Sequence, residues 1–325
     1  MGMLIEGKWS EDEAVSALTN KKGEFVRADS KLRQTITADG SSGFPAAPGR
    51  YHLFVAHNCP WAHRTVIARA LKKLEGAIGL SAAETRRNEE GWEYAEGLDD
   101  LPTEQGGRMY LHRLYTATDP AYSGRVTTPT LWDRETGSVV NNESSEILRM
   151  LNAAFNAYGD GELDLYPEPL REEIDRANAL TYHAINNGVY RCGFARSQQA
   201  YEEAFATLFD GLAQVEASLD RHRYLAGDRV TEADVRLFPT LVRFDAVYHG
   251  HFKCNLRRLV DYPNLSGYLR DLYQIPAFGE SVNIDVYKQG YYGRSPRLNP
   301  SGIIPVGPEL DFNAPHDRAE REYGG

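Results

Sequence analysis

The hydrophobic pattern of the chain changes sharply at Arg50. Tyr51-His52-Leu53-Phe54-Val55-Ala56 is short, aromatic and β-branched, which predicts a strand. His57-Asn58-Cys59 makes a tight connection, and Pro60 suits the first position of a helix, where its missing N–H is no loss. Val66, Ile67, Ala70, Leu71 and Leu74 then recur at helical spacing, and Gly76 supplies a stop. Residues 77–83 read as a second, parallel strand. The result is a βαβ unit with a cysteine at its strand-to-helix turn.

A long polar stretch follows from Glu84 to about Leu111, containing Trp92 and the Gly106-Gly107 pair. Residues 126–133 and 138–140 predict two strands joined by a Glu135-Thr136-Gly137 turn, which is a hairpin. Asn141-Asn142-Glu143-Ser144 carries cap-type residues and opens a helix through Ile147, Leu148 and Leu151. The order β-α-β-loop-β-β-α over residues 50–155 is a thioredoxin-like domain. Before it, residues 1–49 read as an extended arm without a core of its own. After it, residues 156–169 are rich in Gly, Asp and Pro and read as a linker.

Beyond the linker the signal is helical. Ile174, Ala177, Leu180 and Tyr182 begin one helix, and Tyr201, Phe205, Leu208, Phe209, Leu212 and Val215 mark a strong second one. Thr231-Glu232-Ala233-Asp234 is a capping-box variant ahead of Val235, Leu237, Phe238, Leu241 and Val242. A further helix is expected over roughly 265–273. The expected fold class is therefore α/β plus all-α: a thioredoxin-like domain, then an all-helical domain over 170–289. A Pro- and Gly-rich tail occupies 290–325.

Composition narrows the partners. With 36 Lys and Arg against 46 Asp and Glu, the net charge of the 325-residue chain is −10. An acidic chain without a basic patch argues against nucleic acid. The first twenty residues lack an apolar signal core, and no segment approaches the roughly 20 apolar residues of a membrane span. Three widely spaced cysteines, Cys59, Cys192 and Cys254, fit reduced thiols better than a disulfide framework. A cytoplasmic protein with no membrane partner is the expectation.

The candidate chemistry centres on Asn58-Cys59-Pro60-Trp61. A thiol at a helix N-terminus meets unpaired N–H groups and the positive end of the helix dipole, which favour the thiolate, the attacking species. The usual redox turn has a second cysteine three residues on, but here that position is Ala62. A monothiol needs an external thiol to resolve its mixed disulfide, and glutathione is the abundant cytosolic one. The competing reading is a buried, inert cysteine. Thr128-Pro129 could present a backbone edge beside the thiol if its bond is cis, and Glu143-Ser144 could bind an amino-acid head group or simply cap a helix. His249, His251 and Cys254 lie close together but lack the paired spacing of a structural zinc site, so no metal is expected. His63 reads as a structural helix residue.

With these features in place, the sequence resembles the glutathionyl-hydroquinone reductases, the Xi class of glutathione transferases. The resemblance runs from about Gly49 to Pro308. It is carried by Cys59-Pro60-Trp61-Ala62-His63-Arg64-Thr65, Gly91-Trp92, Gly124-Arg125-Val126-Thr127, Asn141-Asn142-Glu143-Ser144, Asn186-Asn187-Gly188-Val189-Tyr190 and His251-Phe252-Lys253-Cys254. It implies reduction of S-glutathionyl-hydroquinones through a Cys59–glutathione mixed disulfide, with glutathione as co-substrate and a homodimer as the assembly. Tyr190 would be the proton donor, and Tyr248 and Tyr291 would tune the thiolate. Trp92, Arg125, Val126, Thr127, Thr128, Glu143 and Ser144 would bind glutathione. Two departures stand out: Thr128 replaces a common Val, and the segment Tyr291-Tyr292-Gly293 has an extra spacer residue, so Tyr292 is an alternative to Tyr291. Two other functions fit the same residues: an omega-like thioltransferase or dehydroascorbate reductase, and a noncatalytic ligand-binding module.

Overall fold

The computed structural model of the chain describes residues 2–10, 19–84, 89–94, 108–293 and 296–323. These form two compact units, one from Met1–Leu18 with Arg27–Leu163 and the other from Thr19–Val26 with Asp164–Gly325.

In the first unit, β1 (Met3–Ile5) and β2 (Lys8–Ser10) pair as a hairpin. The N-terminal arm thus supplies strands, and its Leu4 is fully buried. The βαβ unit is β3 (Tyr51–Val55), α1 (Pro60–Leu71) and β4 (Ile78–Ala82), with β3 and β4 parallel. Short strands β5 (Glu93–Tyr94) and β6 (Met109–Tyr110) lead into helix α2 (Leu111–Thr118). This helix falls between the polar stretch expected to end at about Leu111 and the strand expected from Val126, where no element is expected from the sequence. Leu111, Leu114 and Tyr115 share one face, an i, i+3, i+4 stripe, and are completely buried.

The strand expected over 126–133 is split. Gly124–Arg125 (β7) pairs with β1, while Thr130–Asp133 (β8) joins the central sheet. Pro129 has no N–H for a ladder, so the segment between them leaves the sheet. With β9 (Ser138–Asn141), the central sheet has the order β4-β3-β8-β9. Arg50 ties the ends of the two central strands together, donating to both carboxylate oxygens of buried Asp133 at 2.9 and 2.6 Å. Helix α3 (Ser144–Ala153) packs against α1.

The second unit is helical: α4 (Arg171–Thr181), α5 (Gly188–Phe194), α6 (Gln198–Leu219), α7 (Glu232–Arg243), α8 (His249–His251), α9 (Pro263–Tyr273), α10 (Pro276–Gly279) and α11 (Ile284–Tyr292). The capping box at α7 is formed. Thr231 Oγ1 accepts from Ala233 N–H at 3.3 Å, and Asp234 Oδ2 accepts from Thr231 N–H at 2.8 Å. Wider π-type turns at Tyr182–Asn186 and Phe244–Tyr248 precede α5 and follow α7. The C-terminal tail is anchored by fully buried Arg318, which donates to the carbonyls of Leu219, His222 and Arg223 at 2.6–3.1 Å. No helix among the described residues is long and apolar enough to cross a membrane.

Candidate active site

Cys59 is the N-cap residue of α1. Its backbone is extended (φ −82°, ψ 117°), Pro60 occupies the first helical position, and the side chain makes no capping hydrogen bond. The sulfur is thus left for other contacts. Sγ lies 3.4 Å from the carbonyl oxygen of Thr128, to which the thiol donates, and the Thr128–Pro129 peptide bond is cis. Cys59 is half-buried, whereas Cys192 and Cys254 are buried, and burial pushes the Cys254 thiol well above its ordinary value.

The loop that presents Thr128 is held from below. The Tyr115 hydroxyl donates to the Thr127 carbonyl at 3.1 Å and accepts from the Asn142 amide at 3.0 Å. Asn142 also donates to Thr127 Oγ1 at 3.2 Å. Val126 is buried, and Arg125 lies on β7 beside β1. Trp92 and Cys59 pack as half-buried neighbours against the same apolar cluster, which includes Phe54, Tyr94, Leu111 and Trp132.

Glu143 caps α3 while retaining a second carboxylate oxygen. Its Oε1 accepts from Ser145 N–H at 3.1 Å, and Oε2 accepts from Ser30 Oγ at 3.3 Å. Capping and head-group binding are therefore compatible roles for one side chain. Buried Ser144 Oγ accepts from Arg64 Nη1 at 3.3 Å, and the Arg64 guanidinium lies 4.4 Å over the Trp61 ring. Arg64, Ser30, Tyr115 and Asn142 are site neighbours that sequence reasoning missed. Arg64 and Asn142 stand inside the motifs already quoted, so a signal was present. Nothing local marks Ser30 or Tyr115.

The second unit gathers the three tyrosines. The Tyr190 and Tyr291 hydroxyls are 2.6 Å apart, and those of Tyr291 and Tyr248 are 3.1 Å apart. Phe252 lies among them, with ring centroids 5.6, 5.4 and 5.7 Å from Tyr190, Tyr248 and Tyr291. Gly193 permits this approach, since a Cβ there would stand 2.3 Å from the Phe252 ring. Burial is the main reason that Tyr248 and Tyr291 are pushed well above the ordinary phenol value; Tyr190 raises both further and Tyr248 also raises Tyr291, whereas the hydrogen bond with Tyr291 pulls Tyr248 down. The Arg243 guanidinium pulls both down. It lies 3.6 Å over the ring of Tyr287, one helical turn before Tyr291. Tyr292 instead packs its ring 4.6 Å from His251. Buried His63 lies on α1, and no group of three or more His, Cys, Asp or Glu side chains that could hold a metal gathers among the described residues.

Residues 58–154 match the glutathione S-transferase N-terminal domain model, and residues 198–271 match the C-terminal domain model. The chain is 51% identical over 308 residues to glutathionyl-hydroquinone reductase PcpF of Sphingobium chlorophenolicum, covering 95% of this chain and 96% of PcpF. It belongs to the Xi-class glutathione transferases, the family of the glutathionyl-hydroquinone reductases. Glutathionyl-hydroquinone reductase YqjG of Escherichia coli is 46% identical, with 99% of each chain covered. Among solved structures, the Xi-class transferase of Natrialba magadii superposes with a TM-score of 0.88 at 43% identity, covering 98% of this chain and 97% of that one. The glutathione-bound structure of YqjG superposes with a TM-score of 0.86 at 44% identity, covering 98% and 99%. In this Xi-class chain the two domain models fall one in each compact unit.

Proposed function

We propose that this chain reduces S-glutathionyl-hydroquinones to hydroquinones, with glutathione as co-substrate. The observation that carries the proposal is a half-buried monothiol at a helix N-terminus, 3.4 Å from the carbonyl that precedes cis Pro129. The names of PcpF and YqjG support the substrate class, and the glutathione-bound YqjG structure supports the co-substrate.

In the proposed reaction the Cys59 thiolate attacks the glutathione sulfur. An S–S bond forms as the aryl C–S bond breaks, and the ring carbon takes a proton from Tyr190. An aryl carbanion is too poor a leaving group without that proton. Hydroquinone departs, leaving the Cys59–glutathione mixed disulfide. The thiolate of a second glutathione then attacks the mixed disulfide, releasing glutathione disulfide and restoring Cys59. Tyr291 hydrogen-bonds the Tyr190 hydroxyl and Tyr248 hydrogen-bonds Tyr291, and both are assigned to tune the thiolate.

Glutathione is assigned to Trp92, Arg125, Val126, Thr127, Thr128, Glu143 and Ser144. The Thr128 backbone would hold the peptide, Glu143 the ammonium and Ser144 the carboxylate. The proposal includes a thioredoxin-like glutathione-binding domain over 50–155, an all-helical domain with an aromatic substrate pocket over 170–289, a cytoplasmic homodimer and no metal.

Steady-state turnover tests it. Glutathionyl-menadiol should give a higher kcat/KM than a non-aromatic glutathione mixed disulfide, and Cys59→Ser should abolish both activities. Far better turnover of the mixed disulfide would replace this reading with an omega-like thioltransferase. Undiminished biological activity of Cys59→Ser would replace it with a binding module.

A further inference from the structure

Residues Thr19–Val26, part of the N-terminal arm in sequence, belong to the helical unit. They fold as a narrow turn. Thr19 and Phe25 form an antiparallel bridge, Asn20 N–H donates to the Glu24 carbonyl at 3.0 Å, and Gly23 N–H donates to the Asn20 carbonyl at 3.0 Å. Asn20 Oδ1 accepts from the N–H groups of Lys22 and Glu24 at 2.9 and 3.1 Å.

The turn is pinned where α5 gives way to α6. Arg196 N–H donates to the Gly23 carbonyl at 2.8 Å, and Ser197 Oγ donates to the Lys22 carbonyl at 2.9 Å. Gly23 has φ +82°, and a Cβ there would lie 3.0 Å from Ser197 N and 3.1 Å from Arg196 C. The left-handed backbone conformation favours glycine, and the approach leaves little room for a side chain.

So held, Phe25 meets the tyrosine cluster. Its ring centroid is 5.6 Å from Phe194 and 6.2 Å from Tyr190, with interplanar angles of 27° in each case. The rings of Tyr190 and Phe194 are themselves within 9° of parallel. Phe25 therefore extends the aromatic wall that carries the Tyr190 hydroxyl. It is half-buried. A rigidly mounted, half-buried ring suits a flat aromatic substrate far better than a flexible peptide.

We propose that Phe25 is a specificity-determining residue that packs against the aromatic ring of the substrate beside Tyr190. The proposal rests on the glutathionyl-hydroquinone reading above and deepens it. The pinned turn explains why a segment so distant in sequence can act there: five backbone and side-chain hydrogen bonds within the turn, including Asn20 Nδ2 to Glu24 Oε2 at 2.6 Å, and two to the α5–α6 junction, fix the Phe25 backbone before substrate arrives.

The test compares Phe25→Ala, Phe25→Leu and Phe25→Trp with the wild type, using glutathionyl-menadiol and a non-aromatic glutathione mixed disulfide. Phe25→Ala should raise the KM for glutathionyl-menadiol roughly tenfold. The ratio of kcat/KM for the aromatic over the non-aromatic substrate should fall by a similar factor. Phe25→Leu, which keeps the apolar bulk and lessens any folding defect, should show a smaller fall, and Phe25→Trp should restore the ratio. A ratio that stays at the wild-type value in Phe25→Ala and Phe25→Leu overturns the inference, whether both rates drop or neither does. Failure of the wild type to turn over glutathionyl-menadiol would instead remove the functional reading itself.

Discussion

Tyr190 shares a 2.6 Å hydroxyl contact with Tyr291, which in turn meets Tyr248 at 3.1 Å. With Tyr248 and Tyr291 raised well above the phenol range, both remain protonated at neutral pH and can donate within the cluster. Replacing Tyr190 by Phe removes only the hydroxyl. The expected outcome is a loss of about 10²–10⁴-fold in the rate of hydroquinone release, the range for general acid catalysis. Resolution of a preformed Cys59–glutathione mixed disulfide by added glutathione should proceed nearly as in the wild type, because that step needs no proton on carbon. Stopped-flow measurement of the two half-reactions separates them. Equal slowing of both would contradict the assigned role. At this scale the positions of Cys59 and Glu143-Ser144 at helix starts were legible in local motifs, as was Thr128 ahead of Pro129. Tyr115 and Ser30 were not, because each acts through a contact with a residue far along the chain.

Strand β3 carries a second titratable group. His52 is buried at 4% exposure, its Nε2 is 2.8 Å from Ser81 Oγ, and Arg134 Nη2 lies 3.4 Å from Nδ1. Burial first, then the Arg134 and Arg69 guanidinium charges, push its pKa down to about 4 from 6.5. The unfolded chain therefore binds the proton more readily, and stability falls as pH drops through 6.5 until the folded imidazole also titrates near 4. The contribution is on the order of 3 kcal/mol. A His52→Gln variant should lose less melting temperature than the wild type between pH 6.5 and 4, and identical slopes would contradict this account. Elements themselves were unevenly legible. The βαβ unit and the α7 capping box follow directly from periodicity and cap residues. Helix α2 was hidden because His112, Arg113 and two threonines dilute its stripe, and the strand around Thr128 was overextended because β-branched composition outweighed Pro129.

At the scale of the whole chain, both units could be anticipated from the switch between strand-like and helical patterning. The assignment of Thr19–Val26 to the helical unit could not, since pinning depends on Arg196 and Ser197 and leaves no periodic trace. The proposed reaction depends on Cys59 as the acceptor of a glutathionyl group, with the other two thiols sequestered by burial. Its most direct test is intact-mass analysis with peptide mapping after mixing the protein with glutathionyl-menadiol in the absence of free thiol. The predicted result is one added glutathionyl group, on Cys59, with one equivalent of hydroquinone released. An unmodified protein, or an adduct on Cys192 or Cys254 with Cys59 free, would contradict it.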